Sequence, residues 1–455
     1  VHTADVAYAA TTGGKLGIDT ELQGVRWPEV RDRIFGRIDP IAMGGLDYRR
    51  HHPNNANVTV YEGSARFAGH KTLEVALGDS GATETITADR FVLAAGGRAT
   101  VPDLAGLSEV EYHTSDTVMR IDKLPGRAII LGSGLIAAEF AHVFSSFGVA
   151  VTVVARSETL LRGQDADISA RFTELAQQRW DVRLGRVTRG VRQTETGIAL
   201  DLTGPDGDET TEAQLLLIAT GRVPNSDLLD VAATGVSTVQ GNYVEVDEFQ
   251  RTSVDGIYAL GDISSPYELK HVANHEARVV QHNLLHPESP VKADHRFVPY
   301  AVFTSPQIAS VGLTEQQARE RGVDFVTAIQ DYADIAYGWA MEDTSGFAKL
   351  LADPTTGQLI GAHIIGPQAA TLIQPIVQAM SFGLDAGAMA RGQYWIHPGM
   401  PELVENALLK LQAVSGAGAG RVGRPGRGRA ANPQHGVPTS PTRRAETPDT
   451  AVRGG

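Results

Sequence analysis

One stretch constrains the fold of this chain more than any other: residues 127–154, RAIILGSGLIAAEFAHVFSSFGVAVTVV. The apolar, β-branched run from Ala128 to Leu131 reads as a buried strand. Gly132-x-Gly134-x-x-Ala137 follows at once, and a helical pattern then runs to about Phe147. Gly148 stops it, and a second apolar strand begins. The unit is strand–turn–helix–strand with a dinucleotide fingerprint at its first turn. Gly132 permits the tight turn, and Gly134 lets backbone N–H groups approach a pyrophosphate. Ala137 allows close helix–strand packing, and the phosphates sit on the positive end of the helix.

The second strand bears on which dinucleotide binds. A chain that holds NAD places an acidic side chain near the end of that strand, on the ribose 2′-hydroxyl. Here the strand ends Val153-Val154-Ala155-Arg156, and Arg162 follows. Two guanidinium groups suit a 2′-phosphate, so the pattern favours NADPH. The alternative is a pair of ordinary surface arginines.

A second nucleotide site is signalled on either side of this unit. FVLAAGGRATVP (91–102) and LLLIATGRVPN (215–225) each run an apolar strand into Ala-x-Gly, placing Ala95, Gly96 and Gly221 at strand ends. TSVDGIYALGD (252–262) ends a strand at Gly261-Asp262, where a carboxylate can accept a hydrogen bond from a cofactor hydroxyl. The pattern implies that the first nucleotide unit is inserted into an outer one. Strand and helix patterns alternate through most of the chain, so the fold class is α/β. Residues 296–411 read as a third, α+β domain, with a hairpin from Phe347–Ala352 and Leu359–Ile365 and a helix interrupted by Pro375. That domain carries His397 on a proline-bracketed turn with Glu402 five residues later, a pair suited to moving a proton.

Other chemistries find less support. A net charge of −13 disfavours a nucleic-acid partner as the default reading. No stretch approaches the roughly 20 apolar residues of a membrane span, and the expected location is the cytoplasm. His271 and His275 share a helix face with no evident third ligand, so no metal is assigned. The absence of cysteine excludes disulfides and thiolate sites within the chain. The start, VHTADVAYAATTGG, reads as the back half of a helix, which is expected of a chain entered in mid-element. From about Leu411 the sequence turns Gly/Pro/Arg/Ala-rich, and residues 412–455 are expected to form no packed structure.

Taken together, Gly132-Ser-Gly134-Leu-Ile-Ala137, Ala219-Thr-Gly221-Arg222, Ala259-Leu-Gly261-Asp262 and His397-Pro-x-x-Pro-Glu402 resemble the flavin-dependent pyridine nucleotide–disulfide oxidoreductases. The likeness covers about residues 1–411. It implies an FAD- and NADPH-dependent reductase of a small disulfide, acting as a homodimer. It also implies an FAD-binding domain of residues 1–124 and 247–295, an NADPH-binding domain of 125–246 and a dimerisation domain of 296–411. On this resemblance Asp262 holds the ribityl or phosphate part of the flavin nucleotide, and Ala95 and Gly96 lie near FAD. Lys270 and His271 stand near the flavin ring. Gly132, Gly134, Arg156 and Arg162 bind NADPH, and Leu135 takes the gate position. Glu139 sits where a glutamate pairs with a flavin-side lysine. His397, oriented by Glu402, is the acid–base group and serves the partner subunit's site. Such proteins also carry a first GxGxxG unit and a Cys-x4-Cys pair. Neither is in this sequence, so the expectation is an FAD domain short of its N-terminal part, with His397 lacking its thiol.

Overall fold

The computed structural model describes residues 1–78 and 80–416. The inserted nucleotide unit forms as its sequence dictates. A four-stranded parallel sheet runs in the order Leu215–Ile218, Arg127–Leu131, Ala150–Val154, Asp181–Arg183. Its central strand is buried from Ala128 to Leu131. The fingerprint helix, Leu135–Ser146, turns Ala137, Ala138, Ala141 and Phe144 onto the sheet. Gly148, at φ +87°, ends it. A three-stranded antiparallel sheet, Val187–Gln193, Ile198–Gly204 and Gly207–Ala213, lies against the other face through Leu200, Leu202 and Ile129.

The outer unit closes around this insertion. Phe91–Leu93 pairs in parallel with Ile257–Ala259, and Gly97–Ala99 pairs antiparallel with Arg222–Pro224. An antiparallel meander, Gly63–Gly69, Thr72–Leu77 and Thr83–Thr87, packs beside them. The core of this unit joins Phe67 and Leu93 to Val231, Val236, Val244 and Ile257. Residues 222–246, expected with the inserted domain, therefore pack with the outer segments. The reason is the Arg222–Pro224 strand, which has already crossed back to pair with residues 97–99.

The N-terminal segment forms a helix, His2–Thr12, followed by a turn of 3-10 helix, Gly13–Leu16. Ala4 and Ala7 pack with Phe147 and Trp27 against the end of the fingerprint helix. Asp5 bonds the fully buried His142 at 2.8 Å, and burial pushes the His142 imidazolium form down.

The third domain is a five-stranded antiparallel sheet ordered Tyr300–Val302, Gln307–Gly312, Leu359–Gly366, Phe347–Ala352, Val326–Asp331. The expected hairpin is present, with Phe347 opposite Ile365. The helix Ala369–Phe382 contains Pro375, and the helix Glu402–Gly416 buries Leu403, Val404, Ala407, Leu408 and Leu411 against the sheet. Residues 412–416, expected to lie in the unstructured tail, are the last turn of this helix, because the apolar periodicity of its earlier turns carries it on. The remainder of that segment, 417–455, lies outside the described residues. Among the described residues no helix is long and apolar enough to cross a membrane.

A buried ion cluster ties the third domain to the inserted unit. Lys349 Nζ reaches Asp165 at 2.9 Å, Asp167 at 2.6 Å and Glu315 at 2.6 Å. Lys349 and Asp165 are both buried. Burial alone would push the Lys349 ammonium down; its three carboxylate partners outweigh that and raise it well above the ordinary lysine value.

Candidate functional site

The fingerprint turn is built by close approach. Gly132 donates to the Val154 carbonyl at 2.9 Å and sits at φ +140°. A Cβ there would strike the Ala219 carbonyl, so only glycine fits. Gly134 is the opposite case: a side chain there would meet nothing within 4 Å, which leaves the turn open to a ligand. No side chain caps the fingerprint helix, so its first N–H groups are available to a phosphate. Leu161 N–H donates to the Ser133 carbonyl at 2.7 Å and staples the loop after the second strand onto this turn. That bond brings Arg162, beside Leu161, to the fingerprint. Arg156 and Arg162 are exposed and have no ion-pair partner among the described residues. An open glycine turn flanked by two unengaged guanidinium groups fits NADPH, 2′-phosphate included.

Ala95 and Gly96 follow Phe91–Leu93 and Asp262 follows Ile257–Ala259, so they lie at the carboxyl ends of two paired parallel strands, the usual place for a nucleotide in an α/β sheet; Gly221 lies at the far end of the neighbouring ladder, where its carbonyl accepts from Thr100 N–H at 2.9 Å. Gly96 stands at φ +67° and Gly261 at φ +72°. Asn225 donates to both carbonyls before the turn, from its side chain to Ala95 at 2.8 Å and from its N–H to Gly96 at 3.0 Å. Arg222 donates to the Gly97 carbonyl at 2.7 Å and lies 3.9 Å from the Asp262 carboxylate. Asp262 and this glycine cradle fit one portion of FAD. The Lys270–Leu285 helix starts beside the turn with Lys270 exposed. His271 donates from Nε2 to the Pro299 carbonyl at 2.8 Å, so its ring is tied to the segment entering the third domain. Glu139 accepts from Phe303 N–H at 2.9 Å. Burial pushes its carboxyl above the usual carboxylate range. The partner of Glu139 is thus a backbone amide of the third domain.

His397 and Glu402 meet as their spacing implied. His397 Nδ1 donates to Glu402 Oε1 at 2.6 Å, while Gly399 N–H donates to Oε2 at 3.2 Å. Trp395 anchors the turn by donating from its indole to the Ala390 carbonyl at 2.9 Å. The Glu402 side chain is 15% exposed and that of His397 70%, so the far ring nitrogen faces outward. Burial pushes the Glu402 carboxyl up, but the imidazole and the Gly399 amide outweigh it and hold the group below the usual range. Within one chain, no hydrogen bond or ion pair links His397 to the nucleotide residues among the described ones. The structure brings together the fingerprint group, the Asp262 group and the His397 pair separately.

Sequence reasoning left Arg222 and Glu276 out of the site. Arg222 was visible in the Ala-Thr-Gly-Arg string. Glu276 could have been found because it falls in register with Val272, Val279 and Asn283 on the buried face of its helix. Among the described residues no cluster of three or more acidic or histidine groups could hold a metal.

Two nested nucleotide units followed by an antiparallel domain with a paired histidine define a class of two-nucleotide oxidoreductase. The chain belongs to the pyridine nucleotide–disulphide oxidoreductase family: residues 30–277 match that family's model, and residues 298–408 match its dimerisation domain. The family works with FAD and NADPH. The chain is 54% identical over 416 residues to a mycothione reductase of Mycobacterium tuberculosis, covering 90% of this chain and 89% of that protein. It is 32% identical over 415 residues to a dihydrolipoyl dehydrogenase of Corynebacterium glutamicum, covering 90% and 86%. Among solved structures, LpdA from Mycobacterium tuberculosis superposes with a TM-score of 0.76 at 25% identity, covering 90% and 88%. The flavoprotein disulfide reductase RclA from Escherichia coli does so at 0.73 and 26%, covering 83% and 85%.

Proposed function

We propose that the protein is a cytoplasmic, homodimeric, NADPH-dependent flavoprotein that reduces mycothione, the disulfide of mycothiol. The observation that carries this reading is the outward-facing His397–Glu402 pair, 2.6 Å apart on the dimerisation domain and separate from the nucleotide residues of its own chain. Exposed apolar side chains at Trp339, Phe382, Tyr394 and Ile396 of the same domain support a second copy packing there. The similarity to a mycothione reductase supports the substrate.

In this reading residues 1–124 and 247–295 form the FAD-binding domain, 125–246 the NADPH-binding domain and 296–411 the dimerisation domain, with 222–246 packing on the outer segments. The glycine turn and fingerprint helix hold the NADPH pyrophosphate, and Arg156 and Arg162 hold the 2′-phosphate. Asp262, braced by Arg222, holds the flavin nucleotide, with Ala95, Gly96, Gly221, Lys270 and His271 around it. When bound, FAD would supply the two-electron redox chemistry that links NADPH to the disulfide. As a thiolate nucleophile displaces one sulfur of the substrate disulfide, His397 would give a proton from its outward ring nitrogen to the departing thiolate, which leaves as a neutral thiol. Glu402 fixes the tautomer by accepting from Nδ1. The sequence contains no cysteine, so these residues do not supply the thiol that attacks the disulfide. That absence favours a second reading, a nucleotide-binding dimer without disulfide chemistry.

One assay separates the readings. The protein, expressed from its complete reading frame, is given NADPH with mycothione, glutathione disulfide, lipoamide or mercuric ion in turn. The expected result is NADPH oxidation fastest with mycothione. Preference for another acceptor overturns the substrate, and no oxidation with any acceptor leaves the second reading. In the same protein the double substitution Arg156→Ala with Arg162→Ala is expected to weaken NADPH binding about 100-fold and leave NADH binding unchanged. Equal loss for both dinucleotides, followed by nicotinamide fluorescence, would show that the arginines do not read the 2′-phosphate.

A further inference from the structure

Glu276 is almost fully buried, at 1% exposure, in the helix Lys270–Leu285. An acid so placed needs partners for both oxygens, and it has them. Oε2 accepts the Gly261 N–H at 2.7 Å, and Oε1 bonds His295 Nε2 at 3.0 Å. Gly261 opens the turn Gly261–Ile263 that carries Asp262. The turn closes on itself through bonds from Ser264 and Ser265 N–H to the Gly261 carbonyl, at 2.9 and 2.8 Å. The Gly261 amide stands at the start of this turn, and among the described residues its acceptor is Glu276. His295 lies just before the stretch that matches the dimerisation-domain model, residues 298–408. Its neighbour Asp294 is held by an ion pair with Arg296 at 2.8 Å and by its N–H bond to His275 at 3.2 Å. His271, on the same helix as Glu276, is tied to Pro299 of the same segment. Three points on one helix thus bind the stretch from Asp294 to Pro299, where the chain passes into the third domain, and one of those three side chains also grips the turn at Gly261.

We infer that Glu276 is a positioning residue: braced by His295, it fixes the Gly261 amide so that Asp262 presents its carboxylate to the flavin nucleotide. The inference rests on the reading of Asp262 as a flavin contact. A neutral amide at position 276 still offers an oxygen to Gly261 N–H, whereas alanine leaves a buried N–H without an acceptor.

The test uses the full protein and two readouts, FAD affinity by flavin fluorescence titration and exchange protection of the Gly261 amide. Glu276→Ala is expected to weaken FAD binding about tenfold or more and to abolish Gly261 protection, with NADPH affinity unchanged. Glu276→Gln restores both. Unaltered Gly261 protection in Glu276→Ala, or FAD affinity equal to that of the unaltered protein, overturns the inference. Failure of Glu276→Gln to rescue overturns it too, because that result marks a requirement for charge rather than an acceptor. Asp262→Ala is the separate arm. If it leaves FAD affinity intact, or the unaltered protein takes up no flavin, the reading of Asp262 fails and the inference with it. If Asp262→Ala weakens FAD while Glu276→Ala does not, only the inference fails.

Discussion

Replacing His397 by glutamine is expected to lower disulfide-dependent NADPH oxidation by about 10²- to 10⁴-fold, the usual worth of a positioned acid–base group. NADPH affinity should not change, because no bond joins His397 to the fingerprint turn among the described residues. Glu402→Gln should cost less, about tenfold, since an amide oxygen can still accept from Nδ1 but without charge. Steady-state kinetics over a pH series checks both. Because the Glu402 carboxyl is held below the usual range, its support of the imidazole is present above ordinary carboxylate values. That support is lost as pH falls through the depressed value. An acidic limb nearer neutrality therefore belongs to another group. Full turnover by the His397→Gln protein would remove the pair from the mechanism.

The largest effect on stability is expected at Lys349. Lys349→Ala leaves the buried Asp165 without its cation, a defect that costs about 3–5 kcal/mol in other buried pairs. Lys349→Met combined with Asp165→Asn should recover much of the loss, because the charge to be desolvated is then gone. Denaturant unfolding of the single and double variants measures the difference. Equal destabilisation by both would show that shape rather than charge holds this joint. The Lys349 contribution is present below the ordinary lysine value and is lost only as pH rises through its raised one. Burial pushes Asp165 up, but the Glu315 amide and Lys349 outweigh that and hold it low. Lys349 and Arg319 hold Glu315 low as well. Both carboxylate contributions are present above the ordinary range and lost as pH falls through the depressed values. The joint is expected to loosen first in acid.

What could be read in advance follows from where local pattern carries the information. The unit around Gly132 was legible because strand, glycine turn and helix follow one another within 28 residues of sequence. The His397–Glu402 pair was legible because a proline-bracketed turn fixes a short spacing. The destination of residues 222–246 was not, since it depends on a pairing with residues 97–99 that no local periodicity announces. Glu276 and Lys349 were missed for a shared reason. Lys349 stands in a strand buried throughout and Glu276 on the buried face of its helix, and the partners of each lie on other elements. The end of the last helix was misplaced because small residues after Leu411 dilute the apolar signal without breaking the helix.

The route of the chain around the inserted unit has a consequence for its assembly. Arg222 and Gly97, whose bond helps shape the cradle around Asp262, are 125 residues apart in sequence. Contacts between such distant segments form late unless the intervening chain has already collapsed, because closing a long flexible loop costs entropy before any contact repays it. The four-stranded parallel sheet shortens that loop by bringing its own entry and exit strands side by side, Arg127–Leu131 against Leu215–Ile218. The inserted unit is in this sense a scaffold during biogenesis. A lesion in its core is expected to delay the cradle around Asp262 even where it touches no residue of that cradle.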